Sequence, residues 1–427
     1  MPPLLIRAGH VISPEDQLDG ELDVLVEDGV VRQIAPQISV TAGEILEAAG
    51  KVVSPGFVDI HVHLREPGGE VSETLETGLT AAVAGGFTAV CPMPNTKPII
   101  DRPELVRAMI DKAQRIGLAR VFPIAAVSMG SQGESLTDFR ALAAAGAVAF
   151  SDDGRPVKTA GILKRALEAA RELNVPLMDH CEDASLSASG VINEGPVSSQ
   201  LKVRGIPSTS EDVCVARDLI VAESVGARLH VCHVSTAGSI ELIRLGKRRG
   251  VRVTCEATPH HFTLTDQAVL EHGANAKVNP PLRGAQDVEA VVAGLQDGTV
   301  DAIATDHAPH APELKARPLG SDAPFGLIGL ETALGLALTR LVHTEKISMW
   351  HLVSLMSTNP ARIINQPYGR LGVGAPADIT IFDPQLEWTY QTATGRSKSR
   401  NSPFDGWTLK GAVIATIVGG KVIYRRA

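Results

Sequence analysis

Aromatic residues are scarce in this 427-residue chain: Phe, Trp and Tyr make up 4% of it, with only three Trp and three Tyr. That leaves too few rings for a single-stranded nucleic-acid platform, where successive bases stack on aromatic side chains. Positive charge is also in short supply. Forty Lys and Arg stand against 48 Asp and Glu, a net charge of −8, and no basic run offers a face to a phosphate backbone. The five cysteines are scattered without Cys-x-x-Cys spacing, as expected of reduced thiols that fill small apolar gaps. No stretch approaches the roughly 20 apolar residues of a membrane span, and the first residues lack the basic start and apolar core of a secretory signal. We therefore expect a cytoplasmic protein with no nucleic-acid and no membrane partner. The 44% hydrophobic content is enough for one large core and a smaller one.

Residues 1–55 alternate apolar and polar positions in short runs, and Asp28-Gly29 between two such runs has the form of a hairpin turn. The far end behaves alike, with alternation over 377–382 and two β-rich runs broken at Gly419-Gly420. This predicts a small β domain built from both ends, residues 1–55 and 370–427. Between them, over 56–369, eight apolar strand-like runs alternate with helical segments. The runs cover 57–60, 88–91, 121–125, 147–150, 175–178, 228–232, 251–255 and 302–305. Helices are expected over 101–116 with Asp101 as N-cap, and over 160–173, 239–249 and 286–295. Eight such units predict an α/β fold of the parallel (β/α)8, TIM-like barrel type, with a doubly wound open sheet as the alternative.

Polar residues cluster where these strands end. His61 and His63 lie at the end of the first run, Asp152-Asp153 of the fourth, His180 of the fifth, His233 of the sixth and Asp306-His307 of the eighth. In a barrel these ends converge on one mouth, where such enzymes do their chemistry. Residues two apart on a strand share a face, so His61 and His63 can bind one ion together. Four histidines and two carboxylates form a nitrogen and oxygen ligand set suited to zinc, with room for a second ion across a bridging carboxylate. Asp153 shares parity with the small Ala147, Ala149 and Ser151, and Asp152 with Val148 and Phe150, which favours Asp153 as the inward one.

His61-Val-His63-Leu64-Arg65, Met93-Pro-Asn95-Thr, Ser151-Asp-Asp-Gly154, Asp179-His-Cys-Glu-Asp183, His230-Val-Cys-His-Val-Ser235, Glu256-Ala-Thr-Pro-His-His261, Asn279-Pro-Pro-Leu-Arg283 and Asp306-His-Ala-Pro-His310 resemble class I dihydroorotases of the amidohydrolase superfamily. The likeness extends to Gly374-Ala-Pro-Ala-Asp-Ile379, covering almost the whole chain. It implies two zinc ions: one held by His61, His63 and Asp306, the other by His180 and His233, with Asp153 and a hydroxide as bridges. Many amidohydrolases use a carbamylated lysine there, so the match is to the subgroup with an aspartate bridge. The implied activity is reversible hydrolysis of dihydroorotate to N-carbamoyl-L-aspartate in pyrimidine synthesis, with Asp306 as the proton carrier.

Substrate choice is expected to rest on charge. Arg65 lies two residues past His63 and could bind the dihydroorotate carboxylate with its fork, unless it is tied up by Glu66 or Glu70. The resemblance adds Asn95 and His310 around that carboxylate, Asn279 and the Phe325-Gly326 backbone around the ring, and His63 and Leu64 as further substrate-binding residues. His230, His260 and His261 could orient ligands or be ordinary buried histidines. The segment 311–323 could be a lid or a rigid loop. The rival readings are a hydantoinase- or allantoinase-like cyclic amidase and a non-catalytic scaffold for aspartate transcarbamoylase. A homodimer, or a working complex with that transcarbamoylase, is compatible with catalysis.

Overall fold

Alternating residues from the two ends of the chain share one sheet. The computed structural model describes residues 2–40, 43–320 and 322–426. In it, strands 421–425, 408–418, 379–389, 52–55, 4–13, 18–27 and 30–35 lie side by side in that order, with 44–47 paired to 4–13. The seam between the ends is antiparallel, Ile379 opposite Pro55 and Ile381 opposite Val53. Asp28 and Gly29 both have positive φ, +50° and +78°, the conformation that a two-residue hairpin turn needs to follow strand twist. Gly419 and Gly420 repeat it at the other end, at +55° and +78°. Inward residues of both ends, among them Ile6, Val24, Val53, Ile379 and Ile417, bury one apolar cluster.

The middle of the chain supplies parallel strands. Phe57–Val62, Phe87–Pro92 and Arg120–Val121 form one sheet, and Ile124–Ala125, Ala149–Phe150, Leu177–Asp179, Leu229–Val231, Val253–Ala257 and Ala302–Ile303 form another. The third strand is a single segment interrupted where Pro123 lacks an N–H to give. Phe122 N still donates to Val90 O on one side, while Pro123 O accepts from Val148 N on the other. Beyond the eighth strand, His63 N donates to His307 O at 2.8 Å, and Val62 forms a parallel bridge with His307. The last strand is thereby linked to the first. Val58, Ile60, Ala89, Ile124, Ala149, Met178, Cys232 and Ala302 pack into one cluster on the inner side of these strands.

Helices cover the outer side. Ala160–Leu173 starts at Thr159, whose hydroxyl accepts from Ile162 N, and Ala237–Arg248 starts likewise at Thr236. Ala285–Asp297 is also present. Phe150 stacks on Phe139 of the preceding helix, as a bulky outward residue should, whereas Ala149 faces the inner cluster. Val148, expected to accompany Phe150, packs in the inner cluster instead. One cap differs from expectation. The helix after the second strand runs Pro103–Ile116, and its N-cap is Arg102 without a side-chain bond. Asp101 accepts from Gly130 N in a neighbouring loop. Among the described residues, no helix is long and apolar enough to cross a membrane. All five cysteines are free and buried.

Candidate active site

The carboxyl ends of strands one, four, five, six and eight bring His61, His63, Asp153, His180, His233 and Asp306 together, all of them buried. Asp153 is at the centre. Its oxygens lie 3.4 Å from His61 Nε2, 3.6 Å from His63 Nε2, 3.6 Å from His233 Nε2 and 3.8 Å from His180 Nδ1. Asp306 Oδ1 is 2.9 Å from His63 Nε2 and 3.7 Å from His61 Nε2. Asp152 turns the other way, accepting from Ser128 N and Oγ. Arg65, His233 and Asp306 all hold positive φ, +59°, +32° and +46°, a strained conformation for non-glycine residues and one that concentrates at functional sites.

The far nitrogens of three of these imidazoles are tied down. His61 Nδ1 meets Glu256 Oε1 at 2.5 Å, His63 Nδ1 meets Asn95 Oδ1 at 2.9 Å, and His180 Nε2 meets Glu182 Oε2 at 3.0 Å. Each such bond fixes the orientation of its ring, and the inner nitrogens of His63 and His180 lie 2.9 Å from Asp306 Oδ1 and 3.0 Å from His233 Nε2. His61 Nε2 and Asp153 Oδ1 are buried without a hydrogen-bond partner. Unpaired polar atoms are costly to bury, and this cluster holds the sets His61, His63 and Asp306, and Asp153, His180 and His233, each close enough for one ion, with a third set, His61, Asp153 and Cys232, overlapping them. The donor chemistry, imidazole and carboxylate, fits zinc.

Charge agrees with that fit. Burial alone would raise the carboxyls, but His63, His61 and His233 hold Asp306 well below the usual range. Burial likewise opposes a charged His61, and the carboxylates of Asp153 and Glu256 outweigh it, raising its pKa well above the usual value. The cluster therefore attracts positive charge.

A cavity of about 310 Å³ opens on this cluster, and Arg65, Asn95, Asn279, His310, Phe325 and Gly326 line it. Arg65 is bound to neither candidate partner. Glu66 pairs with Lys112 and caps Leu75 N, while Glu70 accepts from Gly68 N. Arg65 Nε donates to Pro309 O at 3.0 Å, and Nη2 ends 3.2 Å from His310 Nε2. His310 Nε2 is closer still, 2.7 Å, to Phe325 O. That makes Nε2 the donor to the carbonyl, so the Arg65 Nη2 hydrogens remain available to an acceptor in the cavity. Burial, with Arg65 and Lys315 adding to it, keeps His310 neutral with a pKa of about 3. Asn279 Nδ2 reaches Glu182 Oε2 at 2.7 Å beside His180. Gly326, at φ +127°, has no room for a Cβ, which would come within 2.6 Å of Ala308 Cβ.

The Leu64 side chain lies elsewhere, buried in the apolar core and packed over Gly78. His230 Nε2 donates to Glu256 Oε2 and its Nδ1 pairs with Thr254 Oγ1, while His261 Nε2 donates to Pro280 O and its Nδ1 pairs with Thr258 Oγ1. His260 is buried with neither ring nitrogen hydrogen-bonded among the described residues. Sequence reasoning gave no role to Glu182 and Glu256. The signal was there in principle, since Glu256 is the next-to-last residue of the seventh strand and a carboxylate buried there needs a partner. Of the segment 311–323, Ser321 lies outside the described residues; Pro312–Lys315 forms a short helix.

Comparison with known proteins follows the same line. Residues 50–239 match the model of the Dihydro-orotase-like family. A dihydroorotase of Pelobacter propionicus is 51% identical, covering 99% of this chain and 100% of its own, and one of Pelotomaculum thermopropionicum is 50% identical over 98% of both. Among solved structures, an L-hydantoinase (dihydropyrimidinase) of Arthrobacter aurescens superposes with a TM-score of 0.89 at 27% identity, covering 100% of this chain and 97% of that one. Near-complete coverage at about half identity leaves one assignment: the chain belongs to the dihydroorotase family.

Proposed function

We infer that this chain hydrolyses (S)-dihydroorotate reversibly to N-carbamoyl-L-aspartate, a zinc-dependent step of pyrimidine synthesis. The observation that carries the reading is the pairing of two ends of one cavity. At one end, histidine nitrogens converge on Asp153 and Asp306; at the other, Arg65 presents guanidinium hydrogens to the cavity. A cyclic amide bearing a carboxylate satisfies both.

His61, His63 and Asp306 would hold one zinc and His180 and His233 the other, with Asp153 shared. Zinc there would polarise the ring carbonyl and make water a better nucleophile at neutral pH. Asp306 takes the proton of the attacking water and returns it to the departing ring nitrogen. Arg65 binds the substrate carboxylate in a charge-assisted pair, with His63, Asn95, His310 and the Leu64 backbone around it. Asn279 and the Phe325-Gly326 backbone face the ring. This fixes the scissile amide against the proton carrier before reaction, which is where positioning contributes most.

The same reading takes the parallel strands as a closed (β/α)8 barrel over 56–369 and the shared sheet as a composite β domain of 1–55 and 370–427. The Val62 to His307 bridge and the inner apolar cluster support it. A cytoplasmic location, a homodimer and an association with aspartate transcarbamoylase belong to it too, and light scattering with and without that partner tests the last two. The deciding experiment measures zinc content and dihydroorotate turnover on the isolated chain. Activity that rises and falls with zinc is expected; a zinc-loaded chain inert toward dihydroorotate overturns the reading.

A further inference from the structure

Two lysines are buried beside the cavity, their ammonium groups bonded to backbone carbonyls. Lys277 is 1% exposed and Lys315 8%. An ammonium in such a place survives only if its three donors are satisfied. Both are satisfied largely by the backbone of a single loop. Lys277 Nζ donates to Gly320 O at 2.5 Å and to Ala323 O at 2.6 Å, and lies 4.4 Å above the Phe325 ring, a cation on a π face. Lys315 Nζ donates to Pro324 O at 2.9 Å and leans on Lys277 O at 3.4 Å. Lys277 O also accepts from Gly326 N.

The loop so held carries the wall of the substrate cavity. Phe325 O is the acceptor that fixes His310, and His310 borders Arg65. A displacement of Ala323 to Phe325 would therefore shift the carboxylate end of the pocket while leaving the cluster around Asp153 untouched. We propose that Lys277 and Lys315 are positioning residues, pinning Gly320, Ala323 and Pro324 so that Phe325, His310 and Arg65 keep their places for the substrate carboxylate. Neither lysine touches the reacting atoms. Burial lowers both ammonium groups, Lys277 to about 8 against the help of Asp322, and Lys315 to about 7 with Lys277 and Arg65 adding to the shift. Such groups are costly to keep charged, and the loop's carbonyls give them a reason to be there.

The proposal rests on the substrate assignment above, so its test has one arm that needs no substrate. Lys277→Met and Lys315→Met keep the length of the side chain and remove its donors, and Lys277→Arg keeps both charge and donors. For the Met variants the expected result is a KM for dihydroorotate raised by about tenfold or more with kcat within about threefold and zinc content unchanged, and for Lys277→Arg partial recovery. Backbone hydrogen exchange over residues 316–320 and 322–326 should accelerate in the Met variants and stay near wild type in Lys277→Arg. If Lys277→Met does not fold, Lys315→Met decides by the same measurements. Unchanged exchange in that loop overturns the proposal, as does a KM within twofold of wild type. A fall confined to kcat, with metal loss, does so as well. If the wild-type chain ignores dihydroorotate, the functional reading fails while the exchange experiment still decides the role of the lysines.

Discussion

His61 Nδ1 and Glu256 Oε1 lie 2.5 Å apart although 195 positions separate them in the chain, and neither side chain is exposed. Glu256 also meets His230 Nε2 and accepts from His233 N, so one carboxylate braces strands one, six and seven behind the candidate metal cluster. Glu256→Gln keeps the shape but loses the charge that directs the His61 lone pair inward. Zinc affinity is expected to fall about 10- to 100-fold, read by competition with a chromophoric chelator. Unaltered affinity would show that the brace does not tune the ligand.

Removal of metal should abolish turnover and zinc should restore it. His180→Ala and His233→Ala each take a donor from the set around Asp153, and elemental analysis should show less zinc bound per chain. Full activity in a rigorously metal-free sample would end the zinc reading.

Asp306→Asn retains size but removes the proton acceptor. We expect turnover to drop by on the order of 10²–10⁴. Because Asp306 also belongs to the His61 and His63 set, zinc must be measured in the variant. Near-normal turnover in a zinc-replete Asp306→Asn protein would remove it from the proton-transfer role.

Specificity turns on Arg65. A charge-assisted bond is worth about 1.5–3 kcal/mol, so Arg65→Met should lower kcat/KM for dihydroorotate by roughly tenfold to 150-fold. Dihydrouracil has the same ring without the carboxylate; its weak hydrolysis should scarcely change. Equal losses on both substrates would assign the chain to the neutral cyclic amides instead.

Acid should weaken the fold through His261. Burial lowers its pKa from 6.5 to about 4, and its Nε2 gives a proton to Pro280 O while Nδ1 accepts from Thr258. Between about pH 6.5 and 4 the unfolded chain binds a proton that the folded one refuses, so stability falls as pH drops through that window. The loss from this residue is on the order of 3 kcal/mol at most. In His261→Gln, the urea midpoint should depend less steeply on pH over that range; an identical slope would clear His261 of the effect.

Strand ends were the most legible part of the sequence, because a buried strand that stops at His or Asp needs a reason to do so. Parity lent weak support to Asp153 and the family resemblance decided it; Ala149 and Phe150 take the opposite sides that parity assigned, and Val148 does not. Helix starts were less legible where the partner is tertiary. Asp101 precedes a proline like a cap, yet its carboxylate is committed to Gly130 N, 29 residues on. Leu64 sits between His63 and Arg65 in the motif, and its side chain goes to the core over Gly78. Glu182, Glu256, Lys277 and Lys315 were overlooked because their work is done across the fold, on partners that no local spacing announces.

The seam between strands 52–55 and 379–389 carries a consequence for synthesis. Roughly 300 residues must be translated after Pro55 before Ile379 exists, which at about 5–20 residues per second occupies some 15–60 seconds. During that interval strand 52–55 presents an unpaired edge, a template on which another nascent chain can add. Ribosomes spaced along one message hold such edges close to one another. The order of translation thus places the risk of misassembly in the first 55 residues, well before the catalytic residues of the eighth strand have been made.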